Sequence, residues 1–361
     1  MPLCNECTEL MRRLFDPSTY VKPLFPSSLA FEHTALDDSC DLYQLLSQKY
    51  GLPWKLSSIS ISQWEAWRSS DRLLTRGDSG IALRYMNFYG GKYIHILAEP
   101  TSQAFMCGDV TDAFLENTGS QGSLKLVASW FKTCQHSHAE CQMTFDGTRL
   151  EDNPLLPTRS LYVGSVDSDV VKLTETCSLR GKWAALSHCW GSRQPIQTTH
   201  KNLQKNKEGI LLSLLPATFR DAVQVTRALG LDYLWIDSLC IIQDDANDWD
   251  KEAPRMGQVY EHADIVIVAA WAENAGQGCF TNLTPENPIV DLPYYKGGMK
   301  SGRVFATTQQ YSFLDTRPLC NRAWTIQERV LSRRAIYYTK RGPSYLENTS
   351  GVLSVSPRIT F

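Results

Sequence analysis

From Trp183 onward, apolar and polar positions alternate in a regular way between short apolar runs and amphipathic stretches. Residues 183–189 (WAALSHC) read as a short strand ending at the turn Trp190-Gly191. Over 218–229, Phe219, Ala222, Val223, Thr226 and Leu229 share one helical face. Thr218 can cap that helix with Asp221 three residues on, Pro216 precedes it, and Gly230 suits the position after its end. Residues 233–242 form a nearly continuous apolar run, the texture of a strand buried on both faces. The pattern then predicts a helix over 248–263, a buried strand over 264–270, a helix over 321–331 and a strand over 335–339. Strand and helix in alternation signal a parallel sheet with right-handed crossovers. The expected fold class is α/β: a flavodoxin- or Rossmann-like parallel sheet flanked by helices.

Before Trp183 the texture changes. Residues 1–115 carry Pro and Ser clusters, scattered aromatics and short periodic stretches, an irregular mixed N-terminal region. A helix is predicted over 122–141, with Leu124, Leu126, Val127, Trp130 and Phe131 on one side. The two prolines within 152–160 mark a connector. The expected organisation is an N-terminal region at 1–150, a connector at 151–180 and an α/β domain at 181–338. That domain is interrupted at about 272–318 by a long excursion rich in Gly, Pro and Asn. The tail at 340–361 has no strong pattern and is expected to be irregular.

Composition narrows the function classes. A length of 361 residues, 43% apolar, suits two domains with an ordinary globular core. A net charge of −2 gives no footprint for nucleic acid. The basic doublets Arg333-Arg334 and Lys340-Arg341 read as solvated surface. The N-terminus has no secretory pattern, and the longest apolar run, 265–272, is far shorter than the ~20 residues of a membrane span. A cytoplasmic protein without a membrane span is expected. Eleven cysteines in a reducing compartment are buried hydrophobes, metal ligands or reactive thiols rather than disulfides.

In open α/β sheets ligands bind beyond the carboxyl ends of the strands. That rule selects Ser187, His188, Trp190 and Gly191 after the first strand, and Asp237, Ser238 and 243–245 after the second. The start of the next helix, including Glu252, is expected on the same rim, where a helix N-terminus would favour its ionised form. Glu252 falls inside the apolar stripe of Trp249, Met256, Val259, Tyr260 and Ala263. A carboxylate there is paired, protonated or facing a polar pocket. A structural ion pair with Arg220, Arg322 or Arg329 is one reading and a functional group the other; Pro254 threatens the helix that carries it. His188 and Cys189 are strand neighbours that point to opposite faces, so they make no nucleophile pair. Cys240 reads as an inert core thiol. Cys4-x2-Cys7, with Cys134, His138 and Cys141 at i, i+4, i+7 on the predicted helix, has the donor types of a zinc site, against a reading as unlinked thiols. No phosphate-loop motif occurs.

The blocks 184–191 (AALSHCWG), 215–245 (LPATFRDA…LGLDYLWIDSLCIIQDD) with Asp248, Trp249, Glu252, Met256, Tyr260 and Ala263 following, and 322–332 (RAWTIQERVLS) stand in this order. Together they resemble the fungal heterokaryon-incompatibility (HET) domain family. The N-terminal Cys/His pattern is also similar to that family. The resemblance implies a cytoplasmic effector of self/non-self recognition and programmed cell death, with protein partners and homo-oligomerisation. Its remote likeness to TIR domains implies NAD as a substrate, with Glu252 and Asp237 as catalytic groups. Ser187, His188, Trp190, Gly191, Ser238, Arg322 and Trp324 would position the nucleotide. A signalling scaffold with no catalysis remains the alternative. Family members commonly run well beyond the third block, whereas this sequence stops at Phe361. That leaves open a lost sensor, one supplied by a partner, or a truncated gene.

Overall fold

A computed structural model describes residues 3–15, 28–31, 40–41, 64–68, 81–87, 90–110, 113–191, 196–283, 289–307, 328, 330–340, 342–349 and 352–355. In chain order the strands begin with β1 (Ser28–Phe31), β2 (Trp64–Arg68), β3 (Ile81–Asn87) and β4 (Gly90–Leu97). β5 (Arg159–Tyr162), β6 (Val170–Glu175), β7 (Trp183–Ser187), β8 (Ile210–Leu211), β9 (Tyr233–Trp235) and β10 (Ile265–Ala269) follow. The last are β11 (Ile289–Lys296), β12 (Met299–Thr307), β13 (Arg334–Thr339), β14 (Gly342–Thr349) and β15 (Val352–Val355). They divide between two compact units, one of 1–116, 284–313 and 357–361, the other of 117–283 and 314–356.

The first unit holds an antiparallel sheet in the order β1-β2-β3-β4-β12-β11. The excursion expected at 272–318 therefore supplies two strands to it. Gly297 and Gly298, at φ +57° and +77°, make the tight turn between β11 and β12. The buried hydroxyl of Tyr294 and the ammonium of Lys296 both donate to Asp109.

The second unit holds a nine-stranded sheet in the order β15-β14-β13-β10-β7-β9-β5-β6-β8. Its centre, β13-β10-β7-β9, is parallel, whereas the flanking pairs are antiparallel. The fold is mixed α/β rather than a wholly parallel sheet. β5 and β6 come from the expected connector, and β14 and β15 from the tail expected to be irregular. β7 and β10 are buried at every residue, as strands covered by helices on both faces must be.

The connections explain that covering. The chain passes from β7 through the helix Ala217–Ala228 to β9, then back across β7 to β10. Right-handed crossovers in opposite directions place their helices on opposite faces. Phe219, Ala222, Val223 and Thr226 are buried as their spacing predicts. Pro216, not Thr218, occupies the cap; the Thr218 hydroxyl instead accepts from the Gly278 amide at 3.2 Å. Gly230 takes φ +73° just past the end.

Two further elements depart from the sequence pattern. The apolar run 233–242 is strand only to Trp235, and Asp237–Cys240 forms a buried helical turn. A nearly continuous apolar run has little period to choose between strand and helix. The helix expected over 248–263 is two, Ala246–Glu252 and Met256–His262, joined by a 3-10 turn at Ala253–Arg255. Pro254, lacking an amide hydrogen, accounts for the break. Asp245 caps the first, accepting from the Asn247 and Asp248 amides at 3.0 and 3.3 Å. Among the described residues no helix is long and apolar enough to cross a membrane.

Candidate functional site

β9 and β10 lie on opposite sides of β7, so the strand order reverses at β7, and its carboxyl end is where a crevice is expected. Ser187 closes that strand, buried, and its hydroxyl donates to the Glu328 carboxylate. The Trp190 indole donates to Asp237 Oδ2 at 2.9 Å, while Asp237 Oδ1 accepts from the Ser238 amide at 2.7 Å. Gly191 adopts φ +80°, and a Cβ there would lie 2.4 Å from Asn274 Cβ. The turn thus needs glycine both for its left-handed backbone and for the close approach. The His188 ring packs edge-on against Phe219 at 5.0 Å between centroids. Ser187, Trp190, Gly191, Asp237 and Ser238 are thereby brought to one end of the sheet, each with a defined structural bond or contact. Arg322 and Trp324 lie outside the described residues.

The loop after β9 is held by a contact that reading the sequence missed. Arg159, at the start of β5, donates to the Cys240 carbonyl at 2.7 Å and pairs with Asp248, which also accepts from the Ile242 amide at 2.8 Å. The two side chains are only 8% and 12% exposed. Burial opposes ionisation of Asp248. The Arg159 bond, the Ile242 amide and the nearby positive charges outweigh it and hold the carboxyl below its ordinary value. Glu328 was missed too, although it stands inside the third motif block. Its link to Ser187 spans 141 residues of chain, beyond the reach of local periodicity.

Glu252 lies elsewhere. It is the last residue of its helix, not near the first, so the N-terminal dipole does not reach it. It is 5% exposed and lines a cavity of about 690 Å³ whose wall includes Trp183, the first residue of β7. The structure therefore does not bring Glu252 to the rim of Ser187 and Asp237. Among the described residues no hydrogen bond or ion pair reaches its carboxyl, and the expected partner Arg220 donates instead to the Leu215 carbonyl at 2.8 Å. Arg149, Arg180, Arg255 and His262 share the cavity. Arg180 pairs with the exposed Glu151. Trp183 is fixed in the wall by its indole bond to the Val259 carbonyl at 3.2 Å.

Residues 183–328, from the start of β7 to Glu328, match the family model described as Heterokaryon incompatibility protein (HET). This stretch of the chain is similar to the heterokaryon incompatibility family. Neither a search of curated proteins nor one of solved structures found a match. The HET match takes in the rim and Glu252, but not Arg149, Arg180 or Arg159, which precede it in the chain.

Also outside the HET match is the Cys/His group. The helix Gln121–Ser137 stops before His138, and a 3-10 turn at Ala139–Gln142 carries Cys141 back. The three residues are thus not on one helix, yet the donor atoms of Cys134, His138 and Cys141 all lie within 4.8 Å of one another. Cys4 is half-buried at the start of the first unit, and the Cys7 side chain lies outside the described residues. Arg333 and Arg334, expected on a solvated face, are buried beside this group. Arg334 Nε donates to Cys134 Sγ at 3.0 Å and Arg333 to the Cys141 carbonyl at 2.9 Å.

Proposed function

We propose that this protein is an effector of fungal self/non-self recognition whose HET domain triggers cell death by cleaving NAD at Glu252. The observation that carries the reading is the buried Glu252 carboxyl, facing a large cavity with no partner among the described residues. Buried carboxylates kept for structure are normally paired. A cavity of about 690 Å³ is of ligand size. Arg149, Arg180 and Arg255 supply the donors a pyrophosphate needs. The order β9-β7-β10-β13 is also that of the first four strands in flavodoxin-like sheets, which supports the link to TIR domains.

In this reaction the bond between ribose C1′ and the nicotinamide nitrogen breaks, and its electron pair leaves on the neutral nicotinamide. The Glu252 carboxylate stabilises the oxocarbenium-like ribose. Water then adds to C1′ and passes its proton to the carboxylate, giving ADP-ribose. Purified protein incubated with NAD is expected to release nicotinamide, and Glu252→Gln to lower turnover by at least about 10²-fold. No release under conditions where the protein assembles, with killing in cells unaffected by Glu252→Gln, refutes the enzymatic reading.

A non-enzymatic signalling scaffold has its own support. The rim carboxylates Asp237 and Glu328 are already engaged by Trp190 and Ser187, as structural groups would be. That reading expects Glu252→Gln to leave killing intact, and substitutions on partner-binding surfaces to abolish it.

A further inference from the structure

We propose that Cys134, His138 and Cys141 bind one zinc ion, which fastens the end of the helix Gln121–Ser137 to the amino ends of β10 and β13. Two thiols and one imidazole converging within 4.8 Å form a donor set that suits zinc: sulfur and nitrogen, with a span compatible with tetrahedral bonds of about 2.0–2.3 Å. The local chain is shaped for it. His138 leaves the helix at φ −118°, ψ 95°, and the 3-10 turn that follows returns Cys141 toward Cys134.

The surroundings supply outer contacts to the donor set. Cys134 and Cys141 are buried, which alone would disfavour thiolates. Two buried guanidinium groups lie beside them. Arg334 Nε points at Cys134 Sγ at 3.0 Å, and Arg333 bonds the Cys141 carbonyl. Asp264 lies beside both guanidinium groups, at 3.8 and 3.9 Å. A zinc ion on two thiolates is formally neutral, so filling the site adds no net charge to the interior. The Arg334 hydrogen bond to sulfur is the kind of outer contact that orients a metal ligand.

The location gives the ion a structural role. Arg333 also donates to the carbonyls of Glu261, His262 and Ala263, the segment entering β10, and Arg334 to that of Asp264. The centre thus holds together a helix, a turn and the starts of two central strands. Three protein ligands leave a fourth coordination position for water or another donor.

The full chain, expressed with added zinc and gel-filtered, is expected to carry about one zinc per chain. Cys134→Ser and His138→Gln are each expected to lose it, while Cys177→Ser, an exposed cysteine elsewhere, keeps it. Cobalt exchanged into the wild-type chain should show tetrahedral visible bands and thiolate charge transfer, both removed by zinc, which decides the matter even if Cys134→Ser fails to fold. Less than about half a zinc per wild-type chain with no cobalt bands overturns the proposal. So does zinc retained by both Cys134→Ser and His138→Gln.

Discussion

Replacing Asp248 with alanine removes the carboxylate that faces Arg159 and accepts the Ile242 amide, leaving a guanidinium only 8% exposed without its counter-charge. Breaking a buried pair from one side costs about 3–5 kcal/mol. The orphaned amide adds about 1 kcal/mol. Arg159 keeps its bond to the Cys240 carbonyl, and water can enter the space left by the side chain, so the lower half of that range is expected. Asp248→Ala should therefore lose about 3 kcal/mol of stability in urea unfolding at pH 7, followed by tryptophan fluorescence. The pH dependence has a definite sign. Because the folded carboxyl titrates below its ordinary value, its contribution is fully present above about pH 4 and fades as pH falls through the lower folded value. The gap between wild type and Asp248→Ala should be constant from about pH 5 to 7 and narrow below about pH 4. Removing both charges in Arg159→Met/Asp248→Leu should destabilise less than either single change. A loss below about 1 kcal/mol at pH 7, or a double variant equal to the sum of the singles, would refute the reasoning.

Other perturbations follow from the same geometry. Gly191→Ala must hold φ +80° and place a Cβ 2.4 Å from Asn274, so it should cost about 2 kcal/mol or more; a neutral effect in thermal unfolding would contradict the assigned turn. Burial pushes the Cys240 thiol up to about 12 and the Cys279 thiol well above its ordinary value. Iodoacetamide at pH 8 should therefore label the exposed Cys107 and Cys177 and spare those two, as read by peptide mass spectrometry of the folded chain. If Glu252 is held for function rather than structure, Glu252→Gln should leave stability unchanged or raise it by about 1 kcal/mol; a loss of more than about 1 kcal/mol would return Glu252 to a structural role.

The strands and helices of the central sheet were legible because burial on one face writes a period into a helix and burial on both faces writes a short apolar run into a strand. β7, β10 and the helix Ala217–Ala228 follow that pattern to within two residues. The rim was legible for a related reason: Trp190, Gly191 and Asp237 stand where central strands end, and chain order brings those ends together. Elsewhere the reading failed. The run 233–242 is nearly continuous in apolar residues yet turns from strand to helix at Asp237, and β14 and β15 pair at one end of the sheet without a strong pattern in the sequence. The β11–β12 pair carries a Gly-Gly hairpin signal, but its sheet partner β4 lies some 200 residues earlier in the sequence.

Local sequence thus determined the α/β core, the HET motif blocks and the donor types at Cys134, His138 and Cys141. Only tertiary structure decided which charges meet. It paired Arg159 with Asp248 across 89 residues, set Arg333 and Arg334 beside the cysteines, and turned Glu252 into a cavity instead of onto the rim. Such contacts depend on where the chain returns after a crossover or a broken helix, and no local pattern records that path.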